Sequence, residues 1–191
     1  MTHSKTFLKE TAEIAGLLDS EKIESMVGEL VDLRNRKGRL FIVGLGGSAA
    51  NASHAANDFT KLCGIESYAP TDNVAELTAR ANDEGWHAIF IDWLAARYKP
   101  NDCVLVLSVG GGNPNVSYPI FRIMSDQWRS KRHILAIVGR DGGETAKHAD
   151  CCIIVPTVET SRVTPHTEGW QSVILHAIVS HPDLQVRATK W

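Results

Sequence analysis

The chain places a histidine and a carboxylate, His54 and Asp58, four residues apart, and a second pair, Glu168 and His176, eight apart. On a helix four residues make one turn and eight a little over two, so each pair lies close to one face. Two imidazoles and two carboxylates from two helices can make a tetrahedral zinc site. The same groups could equally supply acid and base for proton transfer at a sugar carbon. Taken singly, His54 could pack as a polar core residue and Glu168 could cap its helix.

What precedes His54 favours chemistry on a small anion. The apolar run Leu40-Phe41-Ile42-Val43 ends in Gly44-Leu45-Gly46-Gly47-Ser48, and a helix rich in small residues follows over Ala49–Leu62. At such a strand–turn–helix junction, free backbone N–H groups converge with the positive end of the helix dipole, and Ser48 adds a hydroxyl. The turn departs from a dinucleotide-binding GxGxxG, and no Lys follows the glycines as a nucleotide-binding P-loop requires, so no nucleotide cofactor is expected. A tight turn without a ligand is the alternative on this segment alone. A second turn, Ser108-Val109-Gly110-Gly111-Gly112-Asn113-Pro114-Asn115, repeats the arrangement of hydroxyl, free amides and helix start. A third, Gly139-Arg140-Asp141-Gly142-Gly143, reads as a structural turn.

The elements around these turns alternate regularly. Helical periodicity covers Thr6–Arg36 in two helices, the second capped by Asp19 or Ser20. Strands are expected at Leu40–Val43, Ser67–Ala69, Cys103–Ser108, His133–Val138 and Cys152–Val155. Helices are expected at Ala49–Leu62, Val74–Asn82, Trp86–Tyr98, from Asn115, at Glu144–His148 and over about Glu168–Ser180. Near-continuous Val, Ile and Leu in the strands imply a parallel sheet covered on both faces, a doubly wound α/β fold. Ligands of such sheets sit at the carboxyl ends of the strands.

At 191 residues, with net charge −2, the chain is the size of one domain and lacks the basic block that nucleic-acid binding needs. It has no apolar run of membrane-spanning length and no secretory signal at its start. Cys63, Cys103, Cys151 and Cys152 show no CxxC spacing. A reduced, cytoplasmic protein is the expectation, with neither nucleic acid nor membrane as partner.

These residues resemble the sugar isomerase (SIS) domain and, within it, the phosphoheptose (sedoheptulose-7-phosphate) isomerases. The resemblance rests on GLGGSAANASH, against a family pattern GNGGSA–DA–H, and on NPNV, LTARANDEGW, AIVGRDGG and the pair Glu168…His176. It spans nearly the whole chain, as a single domain over residues 1–191 with N-terminal helices (1–37) used in oligomerisation and an α/β core (38–191). It implies a five-stranded parallel, flavodoxin-like sheet with helices on both faces, and a homotetramer with active sites between subunits. Carried over by position, Ser48 and Ser108 are phosphate ligands, helped by Gly47 and by backbone amides of Gly110, Gly111, Gly112 and Asn113. Asn82 and Asp83 match a substrate-facing pair. Asp58 and His176 fall on the catalytic carboxylate and histidine, His54 on a zinc-binding histidine, and Glu168 where the family usually has Gln. Zinc held by His54, Asp58, Glu168 and His176 is thus the expected cofactor.

Departures from the pattern are Leu45 for Asn, Val109 and Gly110 for Thr and Ser, Asn113 for Ser, and Asp58 for Glu. The activity implied is aldose–ketose isomerisation, sedoheptulose 7-phosphate to a manno-heptose 7-phosphate through a cis-enediol, serving heptose and surface-polysaccharide synthesis. The alternatives are a non-catalytic sugar-phosphate sensor or protein-binding adaptor, and an isomerase of another sugar phosphate. The apolar stripes of the N-terminal helices have no evident place in one sheet sandwich, so both helices are expected to pack against a partner subunit.

Overall fold

The computed structural model describes residues 1–125 and 132–188. Five parallel strands, β1 (Leu40–Val43), β2 (Ser67–Tyr68), β3 (Cys103–Ser108), β4 (His133–Val138) and β5 (Cys151–Ile154), lie in the order β2-β1-β3-β4-β5. Among the described residues the helices are α1 (His3–Leu17), α2 (Ser20–Asn35), α3 (Gly47–Cys63), α4 (Val74–Asp83), α5 (Ile91–Ala95), α6 (Tyr118–Ile123), α7 (Gly143–His148) and α8 (Val163–Val179). None of these helices is long and apolar enough to cross a membrane.

The strands sort their side chains by alternation, as a pleated strand must. Leu40, Ile42, Leu105, Leu107, Leu135, Ile137 and Ile153 face one core, shared with α2, α3 and α8. Phe41, Val43, Val104, Val106, Ile134, Ala136 and Val138 face the other, with α5 and α6. Burial on both faces explains the continuous apolar runs of β1, β3 and β4, whose polar residues Ser108 and His133 stand at strand ends. Buried Asp102 ties two strand entries together. It accepts from Arg39 N at 2.9 Å, from the Arg39 guanidinium at 2.6 and 3.2 Å, and from Lys99 N at 2.8 Å. Burial raises its carboxyl pKa, and these donors outweigh burial and hold it below the usual range.

The expected elements are present with three adjustments. The 86–98 helix divides into a 3-10 turn at Trp86–Ala88 and the short α5. The helix expected from Asn115 starts at Tyr118 with Pro119 in its first turn and ends at Ile123; residues 126–131 lie outside the described residues. The last helix begins five residues before Glu168, because Pro165 falls in its first turn, where a missing N–H costs nothing.

The N-terminal helices require a correction. Helix α2, capped by the Asp19 carboxylate, buries Met26, Val27, Leu30 and Leu33 in the chain's own core beside β5 and α8. Only α1 leaves apolar side chains outside, with Leu8 67% and Leu17 58% exposed. Helix α1 is fastened to the start of α8 through buried Glu10, which accepts from the Arg162 guanidinium at 2.5 and 2.8 Å and meets His166 Nε2 at 2.9 Å. Phe7 stacks on the His166 ring, centroids 4.3 Å apart.

Hydrogen bonds from Arg162 and then His166 draw the Glu10 pKa down to about 2. Because the folded value lies below the unfolded one, the native state binds fewer protons and this docking stabilises most above about pH 4. The contribution is expected to fade as pH falls from about 4 toward 2. Thermal midpoints of the wild type and Glu10→Gln, compared at pH 7 and across that window, check this. The gap between the two should be wide at pH 7 and close in acid.

Candidate functional site

Helices α3 and α8 start at the same rim of the sheet and run parallel. Their contacts advance together: Gly47 meets Glu168, Asn51 bonds to Glu168 and Gln171, and His54 meets His176. Small residues Ala52, Ala55 and Ala56 line the buried side of α3 and let the two helices approach.

At the N-terminal end of this pair lies a cavity of about 620 Å³, lined in part by Leu45, Ser48, Ser108, Val109, Gly110, Gly112 and Asn113. Sequence-predicted anion ligands are thus gathered in one place, although Gly47 and Gly111 are not themselves lining residues. Gly46 opens α3 at φ 60, and a Cβ on Gly47 would run into the Glu168 carboxylate. The second turn is held by the third. Gly111 O accepts from Thr145 N at 2.8 Å and Thr145 Oγ1 at 2.7 Å, and a Cβ on Gly111 would overlap Gly142 O.

The two serines differ in what they offer the cavity. Ser108 Oγ accepts from Gly111 N at 3.0 Å, so its proton remains free among the described residues. Ser48 Oγ is committed to the wholly buried Gln171. Gln171 Nε2 donates to Ile137 O at 3.2 Å, and a carbonyl only accepts, so Oε1 must be the atom facing Ser48, at 2.9 Å. The hydroxyl of Ser48 therefore donates to Gln171 and not into the cavity. Gln171 was not anticipated; its place one turn before the buried Ile174 and Leu175, on the same helix face, is the signal that marks it.

About two turns further along the pair sits a cluster of His54, Asp58 and His176, whose ligand atoms all lie within 4.8 Å of one another. His54 Nε2 is 3.1 Å from His176 Nε2 and 3.2 Å from Asp58 Oδ2. His176 Nδ1 donates to Ser172 O at 2.8 Å, which leaves its Nε2 as the bare nitrogen of the neutral ring, aimed into the cluster. A ring oriented through its other nitrogen is what a metal-binding imidazole needs, so these three groups fit a divalent cation. His54 and His176 are exposed and Asp58 half-buried.

Glu168 stands outside this cluster, which corrects the four-ligand expectation. The eight residues between it and His176 are about 12 Å of helix rise, so sharing a face does not make them neighbours. Its carboxylate lies instead over Gly47, at the positive end of α3. Asn82 and Asp83 are also elsewhere, exposed at the end of α4 and bonded to one another at 2.7 Å; neither lines the cavity.

No family profile matches the chain. Single relatives do. The phosphoheptose isomerase of Chlorobaculum parvum is 31% identical over 179 residues, 90% of this chain and 81% of that protein. That of Geotalea daltonii is 32% identical over 160 residues, 81% of this chain and 80% of that protein. The phosphoheptose isomerase GmhA of Neisseria gonorrhoeae superposes with a TM-score of 0.79 at 23% identity, covering 92% of this chain and 95% of that one. The Francisella tularensis phosphoheptose isomerase gives 0.80 at 21% identity, covering 94% and 97%. The structures agree with the five-stranded parallel SIS fold, and identity at this level across nine-tenths of the sequence decides the lineage: the chain belongs to the phosphoheptose isomerase family.

Proposed function

We propose that the chain, acting as one SIS domain, isomerises a seven-carbon sugar phosphate, sedoheptulose 7-phosphate to D-glycero-D-manno-heptose 7-phosphate. The observation that carries this reading is the parallel α3–α8 pair, which bears a glycine-lined cavity at one end and the His54–Asp58–His176 cluster further along. One binds an anion and the other moves protons, the two tasks an aldose–ketose isomerisation of a phosphate ester requires. In the cytoplasm the product would supply heptose for surface polysaccharide.

The phosphate would be held by backbone N–H groups at Gly47 and Ser48, by the Ser108 hydroxyl and by the turn from Gly110 to Asn113. Asp58 would take the proton from C1 as the C1–H bond breaks and the C1–C2 double bond forms. His176, when it carries a proton on Nε2 as well as on Nδ1, would give the Nε2 proton to O2, yielding the cis-enediol. Return of the carbon-bound proton to C2, with loss of the O1 proton to His176, completes the exchange with no net change in either residue. Glu168 at the cavity's edge is a second carboxylate able to serve the sugar. His54, Asp58 and His176 would alternatively hold a zinc ion, which when bound would polarise the substrate oxygens and stabilise the enediolate, leaving Glu168 as the carboxylate that moves the carbon-bound proton.

Ser48 and Asp58 lie ten residues apart on α3, about 15 Å of rise. The exposed cluster of one subunit is therefore suited to serve the cavity of another, and we propose a homotetramer with sites shared between copies. The exposed Leu8 and Leu17 of α1, with Val173 beside His176 on α8, offer apolar surface for it.

Three measurements test this reading. Purified protein should convert sedoheptulose 7-phosphate, and His176→Gln should fold normally yet lose about 10²–10⁴-fold in turnover; an unchanged rate removes His176 from the mechanism. Elemental analysis of protein prepared without chelator should find one divalent metal per chain, lost in His54→Ala and retained in Glu168→Gln. Light scattering at micromolar concentration should give four times the 20.9 kDa chain mass; a monomer overturns the shared site.

A further inference from the structure

Arg140 sits in the loop after β4 and lines the cavity with Ser108, Gly110 and Asn113. Its backbone is left-handed, at φ 53. For a residue with a Cβ this is an unfavourable conformation, of a kind that persists where the surroundings impose it and that collects at ligand sites. The loop around it has glycine at its other left-handed positions, Gly142 at φ 80 and Gly143 at φ 53. Glycine at 140 would cost the loop nothing, yet the position carries an arginine.

The charges around the cavity indicate why. Lys147 is neutralised by Glu144, 2.7 Å from its Nζ. Asp141 accepts from Gly143 N at 3.2 Å in its own turn. The guanidinium of Arg140, among the described residues, makes neither hydrogen bond nor ion pair, and it is exposed. It is thus the uncommitted cation among the cavity's lining residues. The side chains of the two glycine turns supply no positive charge in its place. Val109 and Gly110 have no side-chain donor and the Ser48 hydroxyl donates to Gln171, which leaves the Ser108 hydroxyl and Asn113 Nδ2, both uncharged. Glu168 adds a negative charge over the first turn.

We propose that Arg140 supplies the positive charge that holds the substrate's phosphate, as a specificity-determining residue selecting a dianionic ester over an uncharged sugar. The planar fork of a guanidinium matches two phosphate oxygens, and such charge-assisted contacts are stronger than those of neutral donors. The inference rests on the sugar-phosphate reading of the cavity.

The test is calorimetric titration of the full chain with inorganic phosphate at low ionic strength, beside thermal denaturation and steady-state kinetics. Arg140→Gly is expected to weaken phosphate binding about tenfold or more while its thermal midpoint stays level or rises, because glycine relieves the left-handed backbone. Arg140→Lys, which keeps the charge without the fork, should fall between that variant and wild type. With sugar phosphate, Arg140→Gly should raise KM and leave kcat within a few-fold, the mark of binding made equally in ground and transition states. Phosphate affinity of Arg140→Gly within about twofold of wild type overturns the proposal, as does a lysine variant that binds no better than the glycine one. Wild-type protein that binds no phosphate overturns the cavity assignment and this inference with it. Wild-type protein that binds phosphate through Arg140 yet turns over no sugar phosphate supports the inference and overturns the proposed activity.

Discussion

Two helices that start at the carboxyl edge of a parallel sheet and run side by side bring the positive ends of two dipoles to one spot. In this chain α3 follows β1 and α8 follows β5, and contacts from Gly47–Glu168 to His54–His176 keep them in step. Aligned dipoles placed in parallel repel, and the N-termini of both need a negative charge nearby. Glu168 supplies one from within, over the first turn of α3. The N–H groups at this rim are suited to a second, external one. The remaining polar arrangement follows from holding these helices together: Gln171 bridges Ser48 and the end of β4, and Asn51 bonds back to α8.

The same parallel register separates what the site must do. Unpaired N–H groups, suited to an anion, stand at the rim. The His54–Asp58–His176 cluster, suited to proton transfer, stands about two turns further along, where α3 and α8 have no free amides. His176 is held by the carbonyl of its own preceding turn, so its orientation does not depend on a ligand. A group fixed in this way loses little entropy when it engages substrate.

Much of this was legible in the residues. β1, β3 and β4 have the bounds their apolar runs indicate, and the glycine turns fall at strand ends as the fold class requires. Periodicity, however, reports the face of a helix and not the distance along it, so Glu168 appeared to join His176 when about 12 Å of rise divides them. Amphipathic stripes likewise cannot say whose surface they cover: that of α2 is met by β5 and α8 of the same chain. Gln171 and the direction of the Ser48 proton depend on Ile137 O, a backbone group that side-chain patterns do not reveal. Asn82 and Asp83 lie away from the cavity of their own chain, and a matched dipeptide carries no information on which edge of the sheet its helix borders.

The loops after β3 and β4 touch backbone to backbone. A Cβ on Gly111 would overlap Gly142 O, and a Cβ on Gly143 would overlap Gly110 O, while Thr145 clasps Gly111 O twice. The curvature of the second turn is therefore imposed by its neighbour and not by the side chains at 109, 110 and 113. Shape and chemistry are decoupled there: those three positions can change from one lineage to another without reshaping the cradle, whereas Gly111, Gly143 and Thr145 cannot. Such a cradle is a chassis on which new ligand preferences can be tried one side chain at a time.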